Sequence, residues 1–563
     1  MIKINRFKKY IFNGLLLSAA AILMRSVAVA FNVYVSSKVG AEGMGLLNLT
    51  STVYGFAITL ATSGINLAVV RLVSGALPYG NEEYFDKKAD RRVHKIMRNA
   101  IFYCLFFSIL SSVLLFFGSN IIGTLALGDK RTIPSLKLLA FTLVPISVSS
   151  ALNGYFNAVR RIYKNVIVQI FEQATKITVV SALLILIGPC GLEYACIAVV
   201  AGGAISEAAC VIISITLFLF DRKIHKSKRF KKDSLLEKPT TPVGTFVQFG
   251  KPISKEKSES KEDRHSIISI ALPVAISTYV RSALLTIEHL AIPWGLKKSG
   301  SSATEALASY GALHGMVFPI LLFPAAVLTA FASLLIPELS SAQEKGDKKR
   351  IESIVSRVFR FTLLFAIGVG GIFVCFASEL GNTIYNSSEA SEFIRLLAPL
   401  IPLMYLDSAV DAMLKGLGEQ LYTMRVNIAD ALMSVILVVT LLPSMGIKGY
   451  IVVIFLMELF NTAMSVIRLL SITKIKTPIL KWIAIPLFAI ILSTVITRLI
   501  FGSKAICSVL LTTFNSKALL FIQITACAFI YLLLSTLFSR ITKVDIFTKN
   551  TQNINTRSGI LEK

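Results

Sequence analysis

Two arginines that interrupt apolar segments are the residues of this chain best suited to chemistry. Arg25 follows Ala20 to Met24, and Arg281 ends a similar run that begins at Ile276. A guanidinium stays charged, and placing it in the interior of the bilayer costs at least a few kcal/mol of free energy. An arginine that recurs at matching points of two similar apolar segments therefore indicates a functional role. Each planar fork of N–H donors can bind an oxyanion through two hydrogen bonds. The pair therefore predicts an anion-binding site.

The elements that position these arginines are predicted to be transmembrane helices. The 563 residues are 54% hydrophobic and have a mean hydropathy of +0.71, which exceeds what a soluble globular protein carries. We therefore expect an all-α polytopic membrane protein. About fourteen stretches are long enough to cross roughly 30 Å of hydrocarbon: 10–36, 47–76, 97–127, 133–159, 165–189, 192–220, 266–292, 303–336, 351–381, 391–416, 421–444, 447–473, 478–501 and 517–539.

The distribution of positive charge predicts the orientation of these helices. The formal net charge is +26, but Lys and Arg concentrate in every second connection, which is the positive-inside pattern and not a nucleic-acid-binding face. Both termini are therefore predicted to be cytoplasmic. The basic segments are the N-terminus, 87–98, 160–164, 221–265, 345–350, 474–481 and the tail.

An internal repeat predicts the domain organisation. The surroundings of Arg25 and Arg281 match, 136–157 matches 394–418, and 45–74 has a weaker copy at 308–340. Six spans separate the copies, so both halves have the same orientation and form a parallel repeat, with substrate between two bundles. The predicted regions are an N-lobe (1–220), a basic disordered cytoplasmic linker (221–265), a C-lobe (266–473), a hairpin of two helices (474–540) and a cytoplasmic tail (541–563).

Other charged residues in the spans are candidates for ion coupling. Acidic side chains within spans mark ion or proton pathways, and Na⁺ or H⁺ is the expected coupling ion. The candidates are Asp407, Asp430 and Glu458 in the second lobe and Glu207 in the first. Arg71 lies near the cytoplasmic end of the second span, where it can reach headgroups or meet an entering anion.

The structural alternative for the two central arginines is pairing with an acid. Asp407 and Glu288 are the acidic residues considered as partners, and such pairs would serve helix packing alone. Whether the arginines bind substrate or only pack stays open from the sequence.

No enzyme motif accompanies these features. The chain has no Walker lysine, no H-E-x-x-H and no G-x-S-x-G. Its seven cysteines lack C-x-x-C spacing and lie mostly in apolar spans, so neither a metal site nor a disulfide framework is expected. We predict no enzyme, no metal and no cofactor.

The chain resembles the stage V sporulation protein B group over nearly its whole length. The runs that carry this resemblance are 25–46, 60–74, 287–293, 315–324 and 334–338. The group belongs to the multidrug/oligosaccharidyl-lipid/polysaccharide exporter superfamily, beside lipid II flippases. The resemblance implies fourteen helices, with two six-helix lobes that alternate access. It also implies outward movement of an undecaprenyl-pyrophosphate-linked saccharide across the bacterial plasma membrane, for peptidoglycan, spore cortex or polysaccharide synthesis.

The same resemblance implies roles for individual residues. Arg25 matches the first-helix arginine that lipid II flippases use in their cavity, and Arg281 matches the corresponding seventh-helix position. Where those flippases carry a second arginine two turns after the first, this chain has Asn32, so lipid II competes with other pyrophosphate-linked glycans as the expected cargo.

Three other functions stay open at this point. A multidrug exporter of the same superfamily is one, although Arg25 argues against a cationic cargo. A membrane glycosyltransferase or polymerase is disfavoured because the extracytoplasmic connections are short. A non-transporting envelope or spore-coat assembly factor is the third. The expected partners are a lipid-linked saccharide and membrane lipids, no nucleic acid is expected, and we expect a monomer.

Overall fold

Every regular element that the described residues form is helical. The computed structural model describes residues 2–62, 64–76, 87–159, 161–236, 259–474, 479–502 and 516–541. Its helices are α1 (Ile2–Thr62), α2 (Ile65–Ala76), α3 (Lys87–Ile121), α4 (Thr132–Ala158), α5 (Ile162–Leu186), α6 (Leu192–Leu236), α7 (Glu259–Lys298), α8 (Ala303–Tyr310), α9 (Phe318–Leu322), α10 (Ala325–Glu344), α11 (Lys348–Cys375), α12 (Ala377–Tyr385), α13 (Ser388–Leu397), α14 (Ile401–Gly416), α15 (Gln420–Met445), α16 (Ile447–Thr473), α17 (Ile479–Gly502) and α18 (Ser516–Ile541).

Most of these helices are long and apolar enough to cross a membrane. Twelve segments in the described parts of the chain qualify by length and composition, so the chain is an all-α, multi-pass membrane protein as predicted. The count of fourteen stays a prediction. One of the twelve, Ile22–Ala76, has 55 residues, which at 1.5 Å per residue is about 82 Å and suffices for two crossings.

Gly40 divides that long segment into two arms. It is the only residue inside α1 with non-helical dihedrals, at φ 67° and ψ −176°, a conformation that only glycine adopts easily. The sequence predicted a connection from Gly40 to Gly45 between the first two spans. The structure has instead a one-residue kink, and helical geometry resumes at Ala41.

Proline and π-helical turns interrupt the segment predicted as a single span at 303–336. After α8 the backbone forms a π-helix at Gly311–Val317, then the short α9. Pro319 occupies the first turn of α9, and Pro324 immediately precedes α10. A proline lacks the N–H that a helix interior needs, and both prolines lie where a new helix begins.

The chain forms two compact units. The first comprises Met1–Gly311 with Val435–Pro443, and the second comprises Ala312–Ser434 with Ser444–Lys563. The boundaries of the N-lobe and the C-lobe, which come from the internal repeat, stay a prediction.

Both helices that flank the predicted linker run into it. α6 continues to Leu236 and α7 begins at Glu259, since Lys, Arg and Glu are good helix formers outside the membrane as well. Of the predicted linker, residues 237–258 lie outside the described residues, as do residues 542–563 of the predicted tail.

In the first unit, α1 and α8 approach to backbone contact. A Cβ added to Gly45 would lie 2.2 Å from the carbonyl oxygen of Leu307, and one added to Gly311 would lie 2.0 Å from that of Ala41. Only glycine fits at either position, because real Cβ atoms require about 3.5 Å or more from a heavy atom.

Candidate functional site

Arg25 lies in the first arm of α1 without an acidic partner. Its side chain is exposed, and no carboxylate of the described residues lies within 4.0 Å of it. The neighbouring Ser26 is satisfied locally, since its hydroxyl donates to the carbonyl oxygen of Ile22 at 3.0 Å. The guanidinium therefore has its donors available to a ligand.

Arg281 lies on α7, where neighbouring residues hold this helix against the second arm of α1. The Tyr279 hydroxyl donates to the carbonyl oxygen of Leu60 at 3.5 Å, and the Ser282 hydroxyl lies 3.3 Å from that of Thr59. Arg281 itself is exposed, and the described residues place no carboxylate within ion-pair distance of it. Pairing of the arginines with an acidic residue, the predicted alternative, stays a prediction beyond the described residues.

Helix lengths relate the two arginines to the kink at Gly40. Arg25 precedes the kink at Gly40 by fifteen residues, or about 22 Å of helix. Thr59 contacts Ser282, the residue after Arg281 on α7. It follows the kink by nineteen residues, or about 28 Å. If both arms cross from the kink, both guanidinium groups lie in the half of the bilayer farther from Gly40.

Arg71 lies on the outward face of the short helix α2. This helix starts after a break at Gly64 and buries Ile65, Ala68, Val69 and Val73. Arg71 is left exposed, and no ion pair involves it within the described chain. Its position is compatible with the predicted contact to headgroups or to an entering anion.

Three of the acidic candidates converge in the second unit from three helices. Asp407 lies on α14, Asp430 on α15 and Glu458 on α16, and the Glu458 carboxylate is close enough to interact electrostatically with the other two. The Asn461 amide donates to Asp407 Oδ2 at 3.3 Å, and the Thr462 hydroxyl donates to Glu458 Oε1 at 3.4 Å. The fold thus gathers acids that lie 23 to 51 residues apart in sequence.

Across the described residues, no group of three or more His, Cys, Asp and Glu side chains has the geometry to hold a metal ion. The coupling role of Asp407, Asp430 and Glu458 stays a prediction.

Glu207 lies on α6 opposite charged residues of α5. Glu172 and Lys176 interact with it electrostatically, and the Cys210 thiol is 3.7 Å from Glu172 Oε2. Glu207 belongs to the first unit and the other three acidic candidates to the second.

A buried ion pair at the end of α6 was missed by sequence reasoning. Asp221 is fully buried and accepts hydrogen bonds from Arg161 and Lys164. The sequence indicated these two basic residues only as part of a cytoplasmic connection at 160–164. The signal was present in the sequence, since Asp221 is a lone acid directly after an apolar span.

A second charge cluster lies at the turn between α3 and α4. Arg131 binds Asp129 at 2.6 Å and Glu42 at 2.7 Å. Partial burial acts to raise the pKa of Asp129, but hydrogen bonds from Arg131 and the charges of Arg131 and Lys297 outweigh it and hold that pKa below its ordinary value. The cluster ties the kinked region of α1 to this turn.

Two family models match the chain in succession. The model described as polysaccharide biosynthesis protein matches residues 11–238, and the MatE model matches residues 299–440. The chain is similar to both families over these ranges.

Relatives from Bacillus subtilis (strain 168) confirm the resemblance that the sequence runs indicated. Stage V sporulation protein B is 25% identical over 498 residues, which cover 87% of this chain and 90% of that protein. Sporulation protein YkvU is 21% identical over 419 residues, covering 74% of this chain and 83% of the relative.

Solved structures show the same fold. One is described as lipid II flippase MurJ in an inward closed conformation, with a TM-score of 0.64, 14% identity, and coverage of 94% of this chain and all of the other. Another is an inward-facing multidrug resistance MATE family transporter of the MOP superfamily, with a TM-score of 0.57, 13% identity and coverage of 82% and 100%. The chain has the fold of these two transporters.

Proposed function

We propose that this protein is a flippase that moves an undecaprenyl-pyrophosphate-linked saccharide outward across the bacterial plasma membrane by alternating access. The observation that carries the proposal is the pair Arg25 and Arg281, which lie in apolar helices and have no acidic partner among the described residues. A diphosphate has several anionic oxygens, enough to accept two hydrogen bonds from each of two guanidinium groups. Lipid II or another lipid-linked oligosaccharide has this chemistry.

The proposal includes the route and the energy source. The arginines would meet the headgroup in the cytoplasmic half of the membrane, after Arg71 has contacted it near the entrance. An inside-negative potential favours outward movement of a negative headgroup by about 2.3 kcal/mol per charge per 100 mV. Asp407, Asp430 and Glu458, or Glu207 in the first unit, are the proposed positions where Na⁺ or H⁺ would couple. Both termini are proposed to be cytoplasmic, and the working unit a monomer.

Native mass spectrometry of protein extracted gently from its own membrane tests the substrate class. The wild type should retain a polyprenyl diphosphate glycan, and Arg25→Ala/Arg281→Ala should lose it. Arg425→Ala is the matched control, because Arg425 is exposed on α15 and is given no role in substrate binding. Retention of the glycan by the double variant, or its absence from the wild type, would contradict the proposal.

Transport in reconstituted vesicles tests the coupling. Glu458→Gln should abolish stimulation by an imposed H⁺ or Na⁺ gradient while leaving stimulation by an imposed potential. If the wild type responds to neither a gradient nor a potential, the proposed energy source is wrong.

A multidrug exporter of the same superfamily is the second candidate. The match of residues 299–440 to the MatE model favours it, as does the acidic cluster in the second unit. Binding of organic cations that Arg25→Ala/Arg281→Ala strengthens would favour export of drugs over lipid-linked glycans.

A further inference from the structure

Three helical elements of the second unit line an apolar groove of about 580 Å³. Its walls are α11, the turn and helix from Ala398 into α14, and α17. On α11 the lining residues extend from Leu363 to Cys375, which is about 18 Å along the axis. Leu487 and Ile491 of α17 line the groove and are 49% and 55% exposed. The groove is therefore open sideways, toward the lipid that surrounds these spans.

Basic residues continue one wall of the groove beyond its end. Arg360 precedes the lining residue Ile367 by seven positions, or about 700° of helical rotation, and so shares its face within about 20°. The Arg360 guanidinium lies over the Trp482 ring, 5.6 Å from the centroid. Arg357, three residues earlier, is exposed and has no carboxylate of the described residues within 4.0 Å. An arginine stacked on a tryptophan at the end of a span is typical of the headgroup region.

At the opposite end of the groove, the described arginines have partners. Arg498 Nη1 pairs with Glu379 Oε1 at 2.8 Å, and its other terminal nitrogen donates to the carbonyl oxygen of Cys375. Arg395, three residues before the lining residue Ala398, donates to the Ser378 hydroxyl at 2.6 Å. Among the described residues, the guanidinium without a partner is therefore at the Arg357 end of the groove.

We propose that this groove is a binding site for an anionic phospholipid, with one acyl chain in the groove and the phosphate on Arg357 and Arg360. The apolar lining excludes polar ligands, and the lateral opening admits a chain from the bilayer. The length of about 18 Å is close to the roughly 15 Å that one leaflet occupies in a 30 Å core. The guanidinium groups select a phosphate-bearing headgroup. By the charge distribution, the headgroup end lies at the cytoplasmic leaflet, and the site is independent of which substrate the protein carries.

The test compares binding of phosphatidylglycerol and phosphatidylcholine of equal chain length to the purified full-length protein by native mass spectrometry. Because each basic residue near a membrane surface is worth roughly a factor of five for an anionic lipid, Arg357→Gln should weaken phosphatidylglycerol binding about five-fold and leave phosphatidylcholine unchanged. Arg425→Gln, which removes one exposed arginine from α15, should change neither.

A second variant tests the part of the site that binds the acyl chain. Leu487→Trp should fill the groove and weaken the binding of both lipids. Leu499→Trp should leave the binding unchanged, because Leu499 is 71% exposed on the same helix and lies about 120° away from the groove face. Both side chains are exposed, so neither change disturbs packing. Equal binding of the two lipids by the wild type would overturn the proposal, as would an unaffected Leu487→Trp. Loss of a co-purified polyprenyl diphosphate from Leu487→Trp would assign the groove to the substrate instead.

Discussion

Replacing Gly311 by alanine tests the backbone contact between α1 and α8. The new methyl group would lie 2.0 Å from the carbonyl oxygen of Ala41 and 2.4 Å from the amide nitrogen of Gly45, so the helices must separate by roughly 1.5 Å to reach ordinary contact. Gly311 has φ −66°, which any residue adopts, so the effect is steric alone. Overpacking typically costs about 1–3 kcal/mol. We expect the upper end, because both opposing atoms are backbone and cannot rotate away.

Gly55→Ala is the matched control for this substitution. Gly55 lies within α1, and a Cβ there would meet nothing within 4 Å. A glycine-to-alanine change at such a site gains about 0.5–1 kcal/mol of helix stability. The two variants should therefore differ by about 2–4 kcal/mol, seen as a lower apparent unfolding temperature for Gly311→Ala in one detergent. Equal unfolding temperatures would refute the close approach of α1 and α8.

Three further predictions concern polar contacts. Asp221→Asn should destabilise the protein by about 3–5 kcal/mol in the same unfolding assay, because it leaves the buried Lys164 and the half-buried Arg161 without their carboxylate. The pKa of Asp129 lies below its ordinary 3.8, so its stabilising contribution is complete at neutral pH and is lost as pH falls below about 4. Arg131→Gln should reduce that loss in unfolding temperatures measured from pH 7 to pH 3, and an unchanged profile would contradict the pairing. Tyr531→Phe should cost about 1 kcal/mol, since the Tyr531 hydroxyl donates to the carbonyl oxygen of Leu364 at 2.6 Å; no change would mean that the bond has little net value.

Hydropathy predicted the membrane class because a crossing helix needs a long apolar run, and that requirement is visible in the chain itself. α11, predicted at 351–381, ends at Cys375, and α16 spans Ile447–Thr473 against a predicted 447–473. The alternation of basic and less basic connections added an orientation that no contact in the structure tests.

Periodicity could not predict where helices stop being regular. The kink at Gly40 is a one-residue change of backbone dihedrals, and the π-helix at Gly311–Val317 begins where α8 ends against the backbone of α1. Neither feature changes the hydropathy of its span. The convergence of Asp407, Asp430 and Glu458 needs three helices in register. The sequence could mark each acid as unusual at its depth, but could not say which acids would meet.

The contrast between paired and unpaired arginines bears most directly on function. Some arginines at the ends of spans have carboxylate partners, as with Arg161 and Asp221 or Arg468 and Glu419, whereas Arg71 and Arg357 have none within 4.0 Å among the described residues. Arg25 and Arg281 interrupt apolar segments, where an unpaired charge costs more, and the described residues provide neither with an acid within 4.0 Å. Under the proposed function, the counter-charge for these two is an anionic ligand that arrives and leaves, which is what a diphosphate carrier requires of its binding residues.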